Sequence, residues 1–184
     1  MIYSLKRILK ESMPVLIISA AVTMGAGIIL NKNSEMIMLL PGIIIIIPAF
    51  INMGGSLMSV LSSRLSSALH LGFIHPILHK TKTLERNLFA TLITAVISFT
   101  SLGFFAGIFT RIIGLEGLDI LMFPLLTLTA GILTVLVLSF LSVIFSYVSF
   151  RKGLDPDNIV IPILTSMGDF IGILFLFLTL SLIL

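Results

Sequence analysis

The sequence predicts an all-α membrane protein with five transmembrane helices. Hydrophobic residues make up 58% of its 184 residues and charged residues only 10%, whereas a soluble domain carries about 25% charged residues. The apolar residues form five runs, each close to or above the roughly 20 residues that a helix needs to cross a bilayer. Most charges lie between these runs. The composition therefore excludes a soluble protein and makes the lipid bilayer the first expected partner.

The first segment, residues 1–12, is predicted to be an amphipathic helix that lies in the membrane interface. Its apolar and basic residues occupy opposite helical faces, with Ile2, Leu5 and Leu9 on one face and Lys6, Arg7 and Lys10 on the other. Such a helix lies flat among the lipid headgroups. The apolar run that follows, over 13–30, is longer than the apolar core of a cleaved signal peptide, so we interpret it as the first span.

Residues 13–184 are predicted to form one five-helix membrane domain. Its spans are expected at 13–30, 36–71, 87–113, 120–150 and 159–184. The second span is too long for one straight crossing. It contains Pro48 and the pair Gly54-Gly55, which are typical of kinks or breaks. We therefore expect a bent second helix that extends past the membrane.

The distribution of basic residues predicts the orientation. An odd number of spans places the two termini on opposite sides of the membrane. With the N-terminus in the cytoplasm, nine of the 11 Lys and Arg residues lie on the cytoplasmic side, and only Lys32 and Arg111 lie on the other. Because cytoplasmic loops are enriched in Lys and Arg, we expect a multi-pass protein of the plasma membrane with Leu184 outside.

Asp169 is a carboxylate deep in the fifth span. It lies ten residues after Ile159, which is about 15 Å along a helix and half of a hydrocarbon core about 30 Å thick. Ionisable residues at this depth usually face a bundle interior or a water-filled path. The one candidate basic partner, Arg64, is expected nearer the cytoplasm. We interpret Asp169 as a cation site; a purely structural bond to another helix is the alternative.

Two spans carry a polar face suited to lining a path for this cation. On the fifth span, Asn158, Pro162, Thr165 and Asp169 share a face at i, i+4, i+7 and i+11. The stripe on the second span consists of Asn52, Ser56, Ser59, Ser63 and Ser66. Small residues in membrane helices often serve packing instead, but the neighbouring Pro48 and glycine pair favour a pore-lining stripe. The predicted pore-lining residues are Gly54, Gly55, Ser56, Ser59, Pro162 and Asn158.

The predicted ligands are oxygen atoms, which suit a hard cation. Mg²⁺ gives up its water reluctantly and is often held by a few carboxylates and retained waters. One carboxylate per chain compensates a divalent charge poorly, whereas a two-fold homodimer would bring two Asp169 side chains to one site. We therefore expect a hydrated cation bound by paired carboxylates at the dimer axis. The transported ion is the only metal expected, and no cofactor is expected.

Two further acidic residues, Asp155 and Asp157, begin the fifth span. They cap the helix and compensate its dipole, or they form a vestibule that attracts cations at the cytoplasmic mouth; both interpretations stay open. The three histidines, His70, His75 and His79, are expected at the interface or in solvent. The sequence contains no nucleophile elbow, phosphate-binding glycine loop or zinc-protease motif, so we expect neither an enzyme nor a nucleic-acid partner.

Two segments resemble motifs of the MgtE-type magnesium transporters and of the related eukaryotic solute-carrier magnesium transporters. The first, PAFINMGGSLMSVLSSRLSSALHLG, is similar to their second-helix motif, and the second, DPDNIVIPILTSMGDFIG, to their fifth-helix motif. The resemblance implies a homodimer with the ion path between spans 2 and 5 of both chains. It also implies that Asp169 is the central ion-site residue, with Thr165 and Asn52 as neighbouring metal ligands.

The sequence departs from the family pattern in two places. Gly55-Ser56 stands where the family usually has Gly-Asn, which bears on ion selectivity. Twelve residues precede the first span, where bacterial members carry cytosolic regulatory domains, so we expect any such regulation to come from a separate cytosolic partner. The leading hypothesis is a divalent-cation channel or transporter, with Mg²⁺ as the favoured ion. The alternatives are an exchanger coupled to Na⁺ or H⁺, and a non-transporting module that docks a regulatory partner.

Overall fold

The computed structural model describes residues 5–75 and 81–184, with the side chains of residues 6–8 excepted. The helices in these two ranges are α1 (Leu5–Lys32), α2 (Ser34–Leu39), α3 (Ile43–His70), α4 (Lys82–Ile113), α5 (Met122–Arg151) and α6 (Pro156–Ile183). All except the short α2 are long and apolar enough to cross a membrane. The prediction of an all-α protein with five candidate membrane spans is thereby confirmed.

The last helix, α6, lies at the centre of the bundle. It packs against α1, α3 and α5, while α4 packs against α3 and α5. Fully buried apolar side chains fill the space between α3, α5 and α6, among them Phe50, Leu61, Leu138, Leu164 and Leu176. α6 is therefore held by three neighbouring helices, and Asp169 lies midway along it.

α4 and α5 approach each other closely at two glycines. A Cβ atom at Gly103 would overlap the backbone of Pro124 on α5, and one at Gly131 would overlap the Phe99 ring on α4. Small residues of this kind let membrane helices make close backbone contacts, which hold them together where lipid removes the hydrophobic driving force.

The second span is built differently from the prediction of one bent helix over 36–71. Two helices, α2 and α3, cover this stretch, and α3 continues without interruption through Pro48 and the pair Gly54-Gly55. A proline inside a helix removes one backbone hydrogen bond, which α3 tolerates here, and the two glycines serve close packing. These residues therefore do not break the helix, and the bend expected at them stays a prediction.

The chain turns instead at Leu40, Pro41 and Gly42. A proline disfavours helical geometry at the preceding residue, and Leu40 accordingly adopts φ −131° and ψ 72°. The Gly42 N–H donates to the carbonyl oxygen of Glu116 at 3.0 Å. This bond ties the start of α3 to the loop between α4 and α5.

Two other boundaries differ from the expected ones. Residues 5–12, assigned to a separate interfacial helix, are continuous with the first span in α1, and residues 1–4 lie outside the described part. The fifth span, α6, begins at Pro156 rather than at 159 because Asp155 caps it, accepting a hydrogen bond from the Asp157 N–H at 3.0 Å. Proline is well suited to the first position of a helix, where its missing N–H has no intrahelical partner.

Candidate ion-binding site

Asp169 is half-buried and bonds to the first helix. Its Oδ2 accepts a hydrogen bond from the Thr23 hydroxyl of α1 at 3.1 Å. Within residues 5–75 and 81–184 no three His, Asp or Glu side chains come together as a metal-binding group. Each chain therefore offers a cation one carboxylate at this position.

A polar seam follows the contact between α1 and α6. Three hydrogen bonds form it: Asn158 Nδ2 to Glu11 Oε2 at 3.4 Å, Ser19 Oγ to the Pro162 carbonyl at 3.0 Å, and Thr23 Oγ1 to Asp169 at 3.1 Å. Residue numbers rise together along the two helices, so α1 and α6 run parallel. We call these three pairs the α1–α6 seam.

Sequence reasoning missed the α1 side of this seam. It placed Asn158, Pro162 and Asp169 on one face of the last helix and expected that face to oppose the polar stripe of the second span, but it did not identify α1 as a neighbour of this face. The i, i+4 spacing of Ser19 and Thr23 was the available signal, because these positions share one face of a helix.

The glycine pair of α3 lies at its contact with α5 and α6. A Cβ atom at Gly55 would be 3.6 Å from the Thr165 side chain, and one at Gly54 would be 3.9 Å from Thr134. Both glycines are buried. The Thr165 hydroxyl donates to the Pro162 carbonyl at 3.0 Å. In the single chain these residues hold the α3–α6 contact, and their part in lining a pore stays a prediction.

The predicted stripe on α3 faces partly outward. Asn52 and Ser56 are exposed, and Ser59 donates to the Gly55 carbonyl at 3.0 Å. Asn52 and Ser56 line a groove of about 340 Å³ between α3 and α4. The other polar residues that line this groove are Arg64, Thr91, Thr94 and Ser98. Asn52 therefore lies in the α3–α4 groove, while Asp169 bonds to α1.

Asn52 and Asp169 nevertheless lie at a similar depth. Gly168 packs beside Gly55, and Gly172 packs beside Phe50, so α3 and α6 run antiparallel. Moving from Gly55 to Asn52 and from Gly168 to Asp169 therefore leads in the same direction. Asn52 lies three residues beyond Gly55 and Asp169 one residue beyond Gly168, so at the rise of an α-helix the two residues differ in depth by about 3 Å.

At the other end of α6, Asp155 and Asp157 border a depression of about 350 Å³ beside the end of α3. Asp155 caps α6, which confirms the capping interpretation. Ser66 and His70 line the same depression as Asp157. Its role in a cation-attracting vestibule stays a prediction.

Two of the histidines fall within the described residues. His70 is exposed, its Nδ1 lies 2.9 Å from the Ser66 carbonyl oxygen, and its ring stands edge-on to Phe150. His75 is exposed as well. Both agree with the expected exposed positions, and His79 lies outside the described part.

Comparisons with known proteins point to one family. A sequence profile of MgtE, described as a divalent cation transporter, matches residues 47–179. The chain is 29% identical to solute carrier family 41 member 2 of Xenopus laevis over 157 residues, which is 81% of this chain and 27% of that protein. The corresponding mouse protein is 29% identical over 182 residues, 90% of this chain and 31% of that protein. Solute carrier family 41 member 3 of Rattus norvegicus is 28% identical over 178 residues, 90% of this chain and 38% of that protein.

These relatives are much longer than the matched chain, which spans only 27% to 38% of their length. No solved structure is significantly similar. The profile match extends over most of the chain and includes both polar helices, α3 from Ile47 onwards and α6 up to Thr179. The predicted resemblance is thereby confirmed: the chain belongs to the MgtE family of divalent cation transporters.

Proposed function

We propose that this chain forms a homodimeric channel or transporter that carries divalent cations, foremost Mg²⁺, across the plasma membrane. The observation that carries the proposal is the Asp169 carboxylate, half-buried midway along a membrane span and bonded to a neutral hydroxyl. A carboxylate away from bulk water is costly unless a positive charge compensates it. A passing cation supplies that charge.

The polar outer side of α3 supports a dimer. Asn52, Ser56 and Arg64 are exposed in the single chain on a helix that spans the membrane. Polar side chains at such positions are costly against lipid and usually face protein or a water-filled cavity. A second copy related by a two-fold axis would cover this side, with Asn52 and Thr165 close to two facing Asp169 carboxylates.

Two carboxylates match the charge of one divalent ion. Mg²⁺ holds its water strongly, so the proposed ion passes with water in place, and the oxygen atoms of Asp169, Thr165 and Asn52 contact that water. With the N-terminus in the cytoplasm, as the positive-inside rule favours, Asp155 and Asp157 stand at the cytoplasmic mouth.

Reconstitution of the purified protein in liposomes tests the proposal. We expect Mg²⁺ uptake that Asp169→Asn and Asp169→Ala abolish at equal yield of folded protein, because the first variant keeps the shape and both remove the charge. Asp119→Asn, an exposed carboxylate in the loop between α4 and α5, is the matched control. Uptake that is unchanged in both Asp169 variants would contradict the assignment of Asp169 to the ion site.

Two further outcomes would replace the mechanism. Uptake that requires an opposing Na⁺ or pH gradient would identify a coupled exchanger in place of a passive channel. Absence of any divalent-ion flux from the wild-type protein would favour a membrane module that docks a partner. A competition series with Mn²⁺, Co²⁺, Zn²⁺ and Ca²⁺ in the same assay identifies the preferred ion.

A further inference from the structure

We propose that Thr23 is a positioning residue of the ion site, so that α1 forms a third wall of the ion path beside α3 and α6. The inference rests on the proposed function of Asp169 and adds a side chain from outside the two helices that carry the polar stripes. It assigns to the first helix a direct part in cation selection, beyond anchoring the chain in the membrane.

The hydrogen bond of Thr23 is unlike those of most other threonines in this protein. A threonine inside a helix commonly bonds the carbonyl oxygen one turn before it. Thr91, Thr94 and Thr134 do so, with distances of 2.8–2.9 Å to the residue four positions earlier. The Thr23 hydroxyl instead crosses to another helix and ends on the Asp169 carboxylate.

The position of Thr23 is fixed by contacts on both sides of it. Toward the start of α1, the buried Ser19 donates to the Pro162 carbonyl of α6 at 3.0 Å. Toward its end, a Cβ atom at Gly25 would be 3.1 Å from the Phe170 ring, so the helices already pack tightly there. A shift of α1 along α6 would break these contacts, so they hold α1 where the exposed Thr23 side chain reaches Asp169.

The bond occupies one side of one carboxylate oxygen. An ionised carboxylate offers about four lone-pair positions on its two oxygens, so Oδ1 and the rest of Oδ2 stay available to a cation or its waters. Holding the side chain in one orientation before the ion arrives reduces the entropy lost on binding. It also sets where the water shell of the ion must fit, which bears on discrimination between ions of different size.

Three substitutions distinguish a positioning role of Thr23 from a general contribution of this residue to folding. Thr23→Val keeps the shape and removes the hydroxyl, Thr23→Ser keeps the hydroxyl, and Thr129→Val is the matched control. The Thr129 hydroxyl donates to carbonyl oxygens of its own helix, α5. For Thr23→Val we expect the half-saturation concentration for Mg²⁺ uptake to rise about fivefold or more, since hydrogen bonds to charged groups are among the stronger ones. The maximal rate per folded dimer should change by less than about twofold, because a positioning role acts on ion binding.

The comparison of Thr23→Ser with Thr23→Val decides whether the hydroxyl group is responsible for the effect. Thr23→Ser should restore the wild-type half-saturation concentration, and Thr129→Val should leave it unchanged. The inference is overturned if Thr23→Val behaves as Thr129→Val does, or if Thr23→Ser is as impaired as Thr23→Val. If Thr23→Val lowers the folded yield, Thr23→Ala takes its place under the same criteria.

The same series distinguishes this inference from the proposed function. Wild type and Asp169→Asn are measured alongside the Thr23 variants. No uptake by the wild type, or full uptake by Asp169→Asn, overturns the proposed function. Normal uptake by the wild type, loss in Asp169→Asn and an unchanged Thr23→Val overturn only the role of Thr23.

Discussion

Gly168 of α6 lies directly against Gly55 of α3: a Cβ atom at Gly168 would be 3.5 Å from the Gly55 backbone nitrogen and 3.5 Å from the Leu138 side chain. These are ordinary van der Waals distances, so one methyl group fits and a larger side chain does not. The contact sets the distance between α3 and α6 at the residue next to Asp169. Changes at Gly168 therefore test how closely the two helices must pack.

We expect Gly168→Ala to fold normally and Gly168→Leu to lower the midpoint of thermal unfolding in detergent. Overpacking a tight contact costs about 1–3 kcal/mol. Gly27→Leu is the control, because nothing lies within 4 Å of a Cβ atom at Gly27. Equal unfolding midpoints for Gly168→Leu and Gly27→Leu would contradict the close contact.

Gly131 should tolerate an added side chain even less than Gly168 does. A Cβ atom at Gly131 would overlap the Phe99 ring. That ring cannot withdraw easily because it is fully buried and its centroid lies 4.9 Å from that of the Phe50 ring, at an interplanar angle of 45°. We expect Gly131→Ala to destabilise the protein by about 1–3 kcal/mol, measured as a loss of unfolding midpoint or folded yield. Gly168→Ala is the matched comparison, and similar midpoints for the two alanine variants would refute the prediction.

The buried hydroxyls of Ser62 and Ser142 join α3 to α5 at 3.1 Å. Removing one partner leaves the other buried and unpaired, which costs about 1–3 kcal/mol, whereas removing both relieves that penalty. We expect Ser62→Ala to destabilise and the double variant Ser62→Ala with Ser142→Ala to recover part of the loss. A double-mutant cycle of thermal stabilities measures the coupling, and strictly additive losses would show that the two hydroxyls do not depend on each other.

Asp155 offers a way to separate capping from cation attraction. Asparagine also caps helices well, so Asp155→Asn should keep the unfolding midpoint, while Asp155→Ala should cost about 1 kcal/mol. If the residue also attracts cations, Asp155→Asn lowers Mg²⁺ uptake at low ion concentration, and added salt shrinks the difference from wild type by screening. Uptake by Asp155→Asn equal to wild type at every salt concentration would leave capping as its only role.

The spans were predictable because each membrane helix can be recognised from its own stretch of sequence. Five apolar runs and the charges between them are enough to count the spans, since each run must satisfy its own backbone hydrogen bonds in lipid. The turn at Gly42 was not predictable in the same way. It is fixed by a bond to Glu116, a residue far along the chain, and Pro48 gave an equally strong local signal for a break.

The candidate site was predictable in part for the same reason. Asp169 stands out because a carboxylate in an apolar helix is rare at any depth. Thr23 does not stand out, because most hydroxyls in membrane helices bond their own backbone or serve packing. Only the arrangement of α1 beside α6 distinguishes Thr23 from the threonines that bond within their own helix.

The Thr23–Asp169 bond joins residues 146 positions apart, and it links the first span to the last. A ribosome adds roughly 5–20 residues per second, so α1 waits on the order of 7–30 seconds in the bilayer before its partner is synthesised. Until then the Thr23 hydroxyl has no carboxylate to meet, and Asp169 enters the membrane as the last helix is inserted. Because α6 follows the other five described helices, the contact between Thr23 and Asp169 forms only after α6 has entered the membrane, and a chain stopped before α6 would lack it.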